Sequence, residues 1–310
     1  AHRFDHERFC APLAQGRDEL TGLPANTNVP KVVGAARRYE LTGEARYRRI
    51  AEYFWREVTT QRAYCTGGTS NGEGWETDPG VLATQLSGYT QEDCVTYNML
   101  KLTRHIFGWT ADPACADYYE RALWNGIIGS QHPSDGSKLY YVSLASGLWK
   151  LFGTPFHDYW CCTGTMSESF AQFGDSIYFH DDTGLWVNLF IASELDWAEQ
   201  GVRLVQETRC PDEDTVTLTV RAARPPDMPC VARAMSILGL TKPWPIPPDK
   251  PAPPARLMPL LPSPLVIWPN FLLRAAFAPD FCSSASAAAM ACACAAGSPW
   301  PMAPAAAALS

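Results

Sequence analysis

A change of hydrophobic period near Thr183 restricts this chain more than anything else in it: helical spacing before, short runs of β-formers after. Asn26 to Leu41 carries Val29, Val32, Val33, Ala36 and Tyr39 near helical spacing, and Gly43 follows as a stop. Glu44 to Thr59 places Tyr47, Ile50, Ala51, Phe54 and Val58 on one face. A third helix runs through Val95, Met99, Leu102 and Ile106. A fourth begins at Asp112-Pro113, an N-cap followed by proline at the first helical position, and continues through Tyr119, Leu123 and Ile127. A fifth is expected from about Ser167 to Phe179, where Thr165-x-x-Glu168 has the form of a capping box. Residues 185–190, 202–205 and 216–220 then read as strands. The expected chain is mainly α over residues 1–180, with a β domain starting over 181–224.

From about Pro225 the composition breaks. Eighteen of the 26 prolines lie there, Glu and Tyr vanish, and the chain ends in Ala-rich runs. Such sequence cannot bury enough apolar surface to offset its ordering entropy. Residues 225–310 are therefore expected to be a low-complexity tail, disordered or out of frame.

Composition excludes some functions. A net charge of −7 without any basic stripe argues against a nucleic-acid surface. No apolar run approaches the roughly 20 residues of a membrane span. Eleven Trp and twelve Tyr lean towards a carbohydrate cleft, where flat aromatic faces are useful. Eleven cysteines at irregular spacing suggest mostly reduced thiols, some of them metal-bound. The chain starts Ala1-His2-Arg3 without initiator Met or leader and reads as an internal fragment. That leaves the compartment open, with the cytoplasm favoured, and the oligomeric state without a signature.

Two long loops, about 61–89 and 131–164, both end at cysteine sites, and long loops of this kind are usually functional. Glu92-x-Cys94 closes one; Cys161-Cys162 closes the other. Three thiols and a carboxylate are a complete ligand set for tetrahedral Zn2+. Glu92 and Cys94 fall on different faces of a regular helix, so a shared metal requires the helix to begin near or after Cys94. Cys161 and Cys162 point apart on a strand and need a bend, which Thr163-Gly164-Thr165 can supply. Buried structural thiols and a vicinal disulfide are the competing readings. Cys161 and Cys162 also sit just before the helix expected at Ser167, and a helix N-terminus and a zinc ion would each lower a thiol pKa and make a thiolate nucleophile available. The Gly-rich loop Thr66 to Glu76 can bring Glu73 or Glu76 into a cleft beside Trp75 as a general acid. His132 and His157 are possible sugar contacts; His105 reads as a satisfied helix residue, and Asp175 as a local hydrogen-bonding residue. Tyr140-Tyr141 can face the cleft or the core.

Several ordered motifs carry a resemblance. Ala25-Asn26-Thr27 with Pro30 to Gly34, Tyr64 to Ser70, Tyr97 to Arg104 and Phe156 to Ser169 together resemble glycoside hydrolase family 127, the β-L-arabinofuranosidases, over about residues 10–224. The resemblance implies part of an (α/α)6 toroid followed by the start of a β-sandwich domain. It implies Zn2+ held by Glu92, Cys94, Cys161 and Cys162, with Cys161 as nucleophile, Glu73 rather than Glu76 as acid/base, and Tyr140 beside the nucleophile. The implied reaction is retaining hydrolysis of an arabinose-containing oligosaccharide or glycoprotein glycan. Pro24 and Asn28 stand where family members carry the two histidines of H-A-N-T-H, the first of which contacts the sugar. The early helices of the family are also missing, which keeps open an inactive structural-zinc or sugar-binding remnant. A thiol oxidoreductase would need Cys161 and Cys162 to cycle through a disulfide, and nothing else in the chain supports it.

Overall fold

The computed structural model describes residues 2–182, 184–210 and 212–222, together with strands at 230–232, 258–260 and 271–277. The chain divides into two compact units, Ala1–Phe277 and Ala278–Ser310, and all described residues belong to the first.

Six α-helices are described: α1 (Glu7–Ala14), α2 (Ala25–Thr42), α3 (Ala45–Glu57), α4 (Asp93–Thr110), α5 (Pro113–Ala122) and α6 (Cys161–Ala171). The punctuation read from sequence sets several of their ends. Gly43 takes the left-handed conformation at φ 73° and returns its N–H to Tyr39, closing α2. Asp112 accepts from the Ala114 N–H at 2.9 Å and starts α5. α3 and α5 each run on into one wide turn, Val58–Arg62 and Leu123–Ile127. α4 is the hub. It packs against α2, α3, α5 and α6, and Val95, Met99, Leu102 and Ile106 are buried along it. α1, too short to show a period, buries Phe9 and Leu13 and sets Phe9 edge-on to Phe54.

The fifth expected helix is displaced by about two turns. α6 begins at Cys161, six residues before Ser167, and ends at Ala171. Gly164, expected to bend the chain, is tolerated inside the helix. Ile177, Tyr178 and Phe179, assigned to the helix end, are fully buried and lead into a strand instead, as their β-propensity favours. The Thr165–Glu168 capping box does not form. Glu168 Oε1 instead accepts from Tyr97 at 2.8 Å and from Lys101 at 3.1 Å.

The strands are β1 (Tyr178–Asp181), β2 (Gly184–Val187), β3 (Ser193–Trp197), β4 (Val202–Thr208), β5 (Asp214–Ala222), β6 (Cys230–Ala232), β7 (Met258–Leu260) and β8 (Phe271–Phe277). Among the described residues they make two four-stranded sheets, ordered β6-β2-β1-β7 and β3-β4-β5-β8. β4 alternates inward Val202, Leu204, Gln206 and Thr208 with outward residues, as one buried face requires. Phe107 of α4 meets Phe179 of β1 at 4.8 Å, joining the helices to the first sheet. Three short segments of the expected tail thus pair into sheets; the rest of 225–310 lies outside the described residues. Among the described residues, no helix is long and apolar enough to cross a membrane.

Candidate functional site

Glu92 is the residue before α4, on extended backbone (φ −61°, ψ 134°), and the helix starts at Asp93. The regular-helix objection to Glu92 and Cys94 therefore does not apply, because only Cys94 is helical. Cys161 and Cys162 are the first two residues of α6, so the turn of the helix itself separates their side chains. The four donor atoms of Glu92, Cys94, Cys161 and Cys162 all lie within 4.8 Å of one another. Cys94 Sγ is 3.4 Å from Cys162 Sγ, and Cys161 Sγ is 4.0 Å from it. Cys162 Sγ is 3.7 Å from Glu92 Oε1. Both adjacent cysteines are free thiols, so there is no vicinal disulfide.

This donor set fits a zinc ion. Sulfurs about 2.3 Å from a tetrahedral ion stand about 3.8 Å apart, close to the separations here. Glu92, Cys94 and Cys162 are buried, whereas Cys161 is exposed, which leaves one open side. Glu92 Oε2 is buried without a hydrogen-bond partner, an acceptor that a cation would satisfy. Burial, with Cys94 and Glu73 nearby, pushes the Glu92 carboxyl up to about 8. Cys94 and Cys162 share their charge unequally: the hydrogen bond between them lowers Cys94 and raises Cys162. Desolvation raises Cys161. Without a cation Glu92, Cys161 and Cys162 hold their protons more tightly than usual and Cys94 less so; a metal would replace the protons that remain.

The acid loop lies next to it. Asn71 and Gly74 exchange backbone hydrogen bonds at 2.9 and 3.1 Å around Gly72 and Glu73, both at positive φ (55° and 70°), as in a type I′ turn. A non-glycine at positive φ is strained, and here the strain belongs to a candidate catalytic residue. Glu73 Oε1 accepts from the Tyr140 hydroxyl and, at 3.3 Å, from the Tyr141 hydroxyl. Tyr140 OH is in turn 3.7 Å from Cys161 Sγ. Burial and the bond to Glu73 both raise the Tyr140 phenol, so it stays a donor. Gly68 is required by packing: a Cβ there would stand 1.9 Å from Gln91 Cγ, the residue before Glu92. The Gly-rich loop and the start of α4 are thereby pressed together.

Glu92, Cys94, Cys161, Cys162, Glu73 and Tyr140 thus meet in one place. Others do not join them. Glu76 is exposed, and Trp75 is a core residue, 3% exposed, donating to Thr69 Oγ1 and packed on Phe54. Trp75 and Glu76 line a small hollow of their own with Asn71 and Gly74, whereas Glu73 turns to the hydroxyls of Tyr140 and Tyr141. His132 bonds Ser134 and packs on Phe152, and His157 is exposed. His105 pairs with Glu40 at 2.7 Å, and Asp175 with Arg104 at 3.0 Å, as satisfied structural residues. Pro24 forms a backbone bridge to Gly74, adjacent to Glu73, so the departure at that position falls at the site. Sequence reasoning gave no specific role to Tyr141 or to Thr165, whose hydroxyl is 3.0 Å from Cys94 Sγ. The Tyr140-Tyr141 pair was a signal for the first; the second was hidden by its resemblance to a cap.

Residues 1–175 match the sequence model for the beta-L-arabinofuranosidase GH127 catalytic domain, and residues 184–235 that for the GH127 middle domain. The chain belongs to the GH127 β-L-arabinofuranosidase family. The middle-domain match runs past residue 225, where the sequence reading ended the resemblance. Among curated proteins, a non-reducing end beta-L-arabinofuranosidase of Bifidobacterium longum subsp. longum is 26% identical over 203 residues, covering 60% of this chain and 30% of the relative. A GH127 beta-arabinofuranosidase structure superposes with a TM-score of 0.62 at 22% identity, covering 72% of this chain and 35% of that one. A GH127 beta-L-arabinofuranosidase from Geobacillus stearothermophilus T6 gives 0.55 at 20% identity, covering 79% and 40%. These two likenesses concern the fold. The chain spans about a third of the length of the relatives it matches.

Proposed function

We propose that this chain carries the catalytic centre of a retaining glycoside hydrolase for β-L-arabinofuranosides, with Cys161 as nucleophile and Glu73 as general acid/base. One observation carries the reading: the line of contacts Cys161–Tyr140–Glu73 runs beside the four-donor cluster. Zn2+ held by Glu92, Cys94, Cys161 and Cys162 would keep the sulfurs deprotonated at neutral pH. The Cys161 sulfur, exposed where the other donors are buried, attacks the anomeric carbon. Glu73 gives its proton to the departing oxygen, so the C–O bond breaks as the C–S bond forms. Glu73, now a carboxylate, takes a proton from water; the water oxygen displaces sulfur from the same carbon. Two inversions give retention, the logic of two-carboxylate glycosidases with a thiolate in place of one carboxylate. Tyr140 holds Glu73 by its hydroxyl and keeps it next to the sulfur.

In this reading residues 1–180 are part of an (α/α)6 toroid, and a β-sandwich domain begins at 181 and continues past 224, where β6, β7 and β8 join its sheets. The substrate is an arabinose-containing oligosaccharide or glycoprotein glycan. An electrophilic arabinofuranose mimic should label Cys161 covalently in the zinc-loaded chain, and Glu73→Gln should slow glycosidic cleavage. A second reading, a structural-zinc or sugar-binding remnant, is favoured by Pro24 beside Gly74. Zinc bound at unit stoichiometry with no labelling of Cys161 would select it.

A further inference from the structure

Thr165 lies in the second turn of α6, four residues after Cys161 and three after Cys162. Its side chain leans back towards the start of its own helix, as helical side chains do, and meets a sulfur from a different one. Cys94 Sγ of α4 is 3.0 Å from Thr165 Oγ1, and among the described residues that sulfur is the hydroxyl's only hydrogen-bond partner. Other helical hydroxyls in this chain do something else. Thr42, Thr103, Thr110, Ser167 and Ser169 each donate to the carbonyl four residues back. For Thr165 that acceptor would be the carbonyl of Cys161, and the bond is forgone. Docking of α6 on α4 does not depend on Thr165, because Glu168 already binds Tyr97 and Lys101.

While Cys94 keeps its proton, hydroxyl and thiol can each donate to the other. A metal-bound thiolate has no proton, so the hydroxyl must then be the donor. Resting on the metal centre proposed above, we infer that Thr165 is a positioning residue for that centre: its hydroxyl donates to the Cys94 sulfur, fixing the ligand's orientation and withdrawing part of its charge. The three sulfurs are then not equivalent. Cys94 is bonded by Thr165, Cys161 lies against Tyr140 at 3.7 Å, and Cys162 faces Cys94, Cys161 and Glu92.

The test compares the wild-type chain with Thr165→Ser, Thr165→Val and Thr165→Ala, titrated with Zn2+ against a competing chelator and with Co2+ as a spectroscopic probe. Wild type and Thr165→Ser should bind alike. Thr165→Val should lose about 10- to 100-fold in zinc affinity, the usual effect of removing a group that supports a metal ligand. Its sulfur-to-cobalt charge-transfer band should move to lower energy, since a thiolate without its hydrogen bond yields an electron more readily. Thr165→Ala, which cannot introduce a clash, should repeat the Val result. Unchanged affinity and band in both hydroxyl-free variants would overturn the inference. So would weakened binding with an unmoved band, which assigns Thr165 to packing alone. If the wild-type chain itself binds neither metal, the metal centre falls and the inference with it, an outcome distinct from a failure of Thr165 alone.

Discussion

Replacing Arg62 with methionine removes the guanidinium that anchors the acid loop to the helical core. Arg62 Nε and Nη2 both donate to Asp18 Oδ2, at 2.9 and 2.7 Å. Its Nη1 donates to the Thr77 carbonyl at 2.9 Å, and its Nη2 also reaches Thr21 Oγ1 at 3.2 Å. The two ionic side chains are 4% and 9% exposed, so solvent screens them little. The Arg62 carbonyl also accepts from Thr69 Oγ1 at 2.7 Å, which ties both ends of the loop bearing Glu73 to this one residue. Methionine roughly preserves the volume but leaves Asp18 buried beside Glu57, a carboxyl already raised chiefly by burial and by its interaction with Asp18. Breaking a buried pair in this way costs about 3–5 kcal/mol. With an m-value of about 3 kcal/mol/M, the urea midpoint should fall by about 1 M or more. Arg62→Lys, which keeps the charge without the fork, should recover only part of that. Asp18→Asn combined with Arg62→Met should be less damaging than Arg62→Met alone, because no uncompensated charge remains. A loss below about 1 kcal/mol for Arg62→Met, the range of an exposed pair, would refute the argument that this anchor is buried and charge-dependent.

Tyr140→Phe deletes the phenol between Cys161 and Glu73 and leaves a partly buried acceptor without its donor, a loss of about 1–3 kcal/mol. If the zinc-loaded chain turns over an aryl arabinofuranoside, kcat should drop about 10- to 100-fold. Tyr141→Phe should cost less, since its hydroxyl stands farther from Glu73, at 3.3 Å. Glu120 supplies a pH test away from the site: burial first, then Asp117, raises its carboxyl to about 7. Its folded pKa lies above the unfolded value, so the neutral form is fully compatible with folding at low pH. Stability is then lost as pH rises from about 4.5 to about 7, and the loss is complete above that. Glu120→Gln should therefore stabilise the chain at pH 8 and leave it nearly unchanged at pH 4, as read by denaturant midpoints.

The long helices were legible because their apolar faces and caps are local signals. Val29 to Ala36, Tyr47 to Phe54 and Val95 to Ile106 repeat at 3.6 residues, and Gly43 and Asp112 mark boundaries by backbone chemistry alone. α6 was not legible in the same way. Its first turn holds Cys-Cys-Thr-Gly-Thr, a run with no apolar stripe, and it is helical because Cys162 and Met166 bury against neighbouring elements. Thr165 and Glu168 matched a cap by spacing, yet each found a partner on α4, which no local pattern encodes. The ligand set was readable from residue type. Its convergence was not, because it depends on Glu92 stopping one residue short of a helix. Glu73 could be separated from Glu76 by resemblance, whereas the turn geometry that aims it depends on the positive φ of a non-glycine residue.

X-ray absorption at the zinc edge of the purified chain addresses the metal centre most directly. Three sulfurs at about 2.3 Å and one oxygen at about 2.0–2.2 Å are the shell expected from Cys94, Cys161, Cys162 and Glu92. A chain that binds no zinc, or holds it through nitrogen and oxygen alone, would contradict the account.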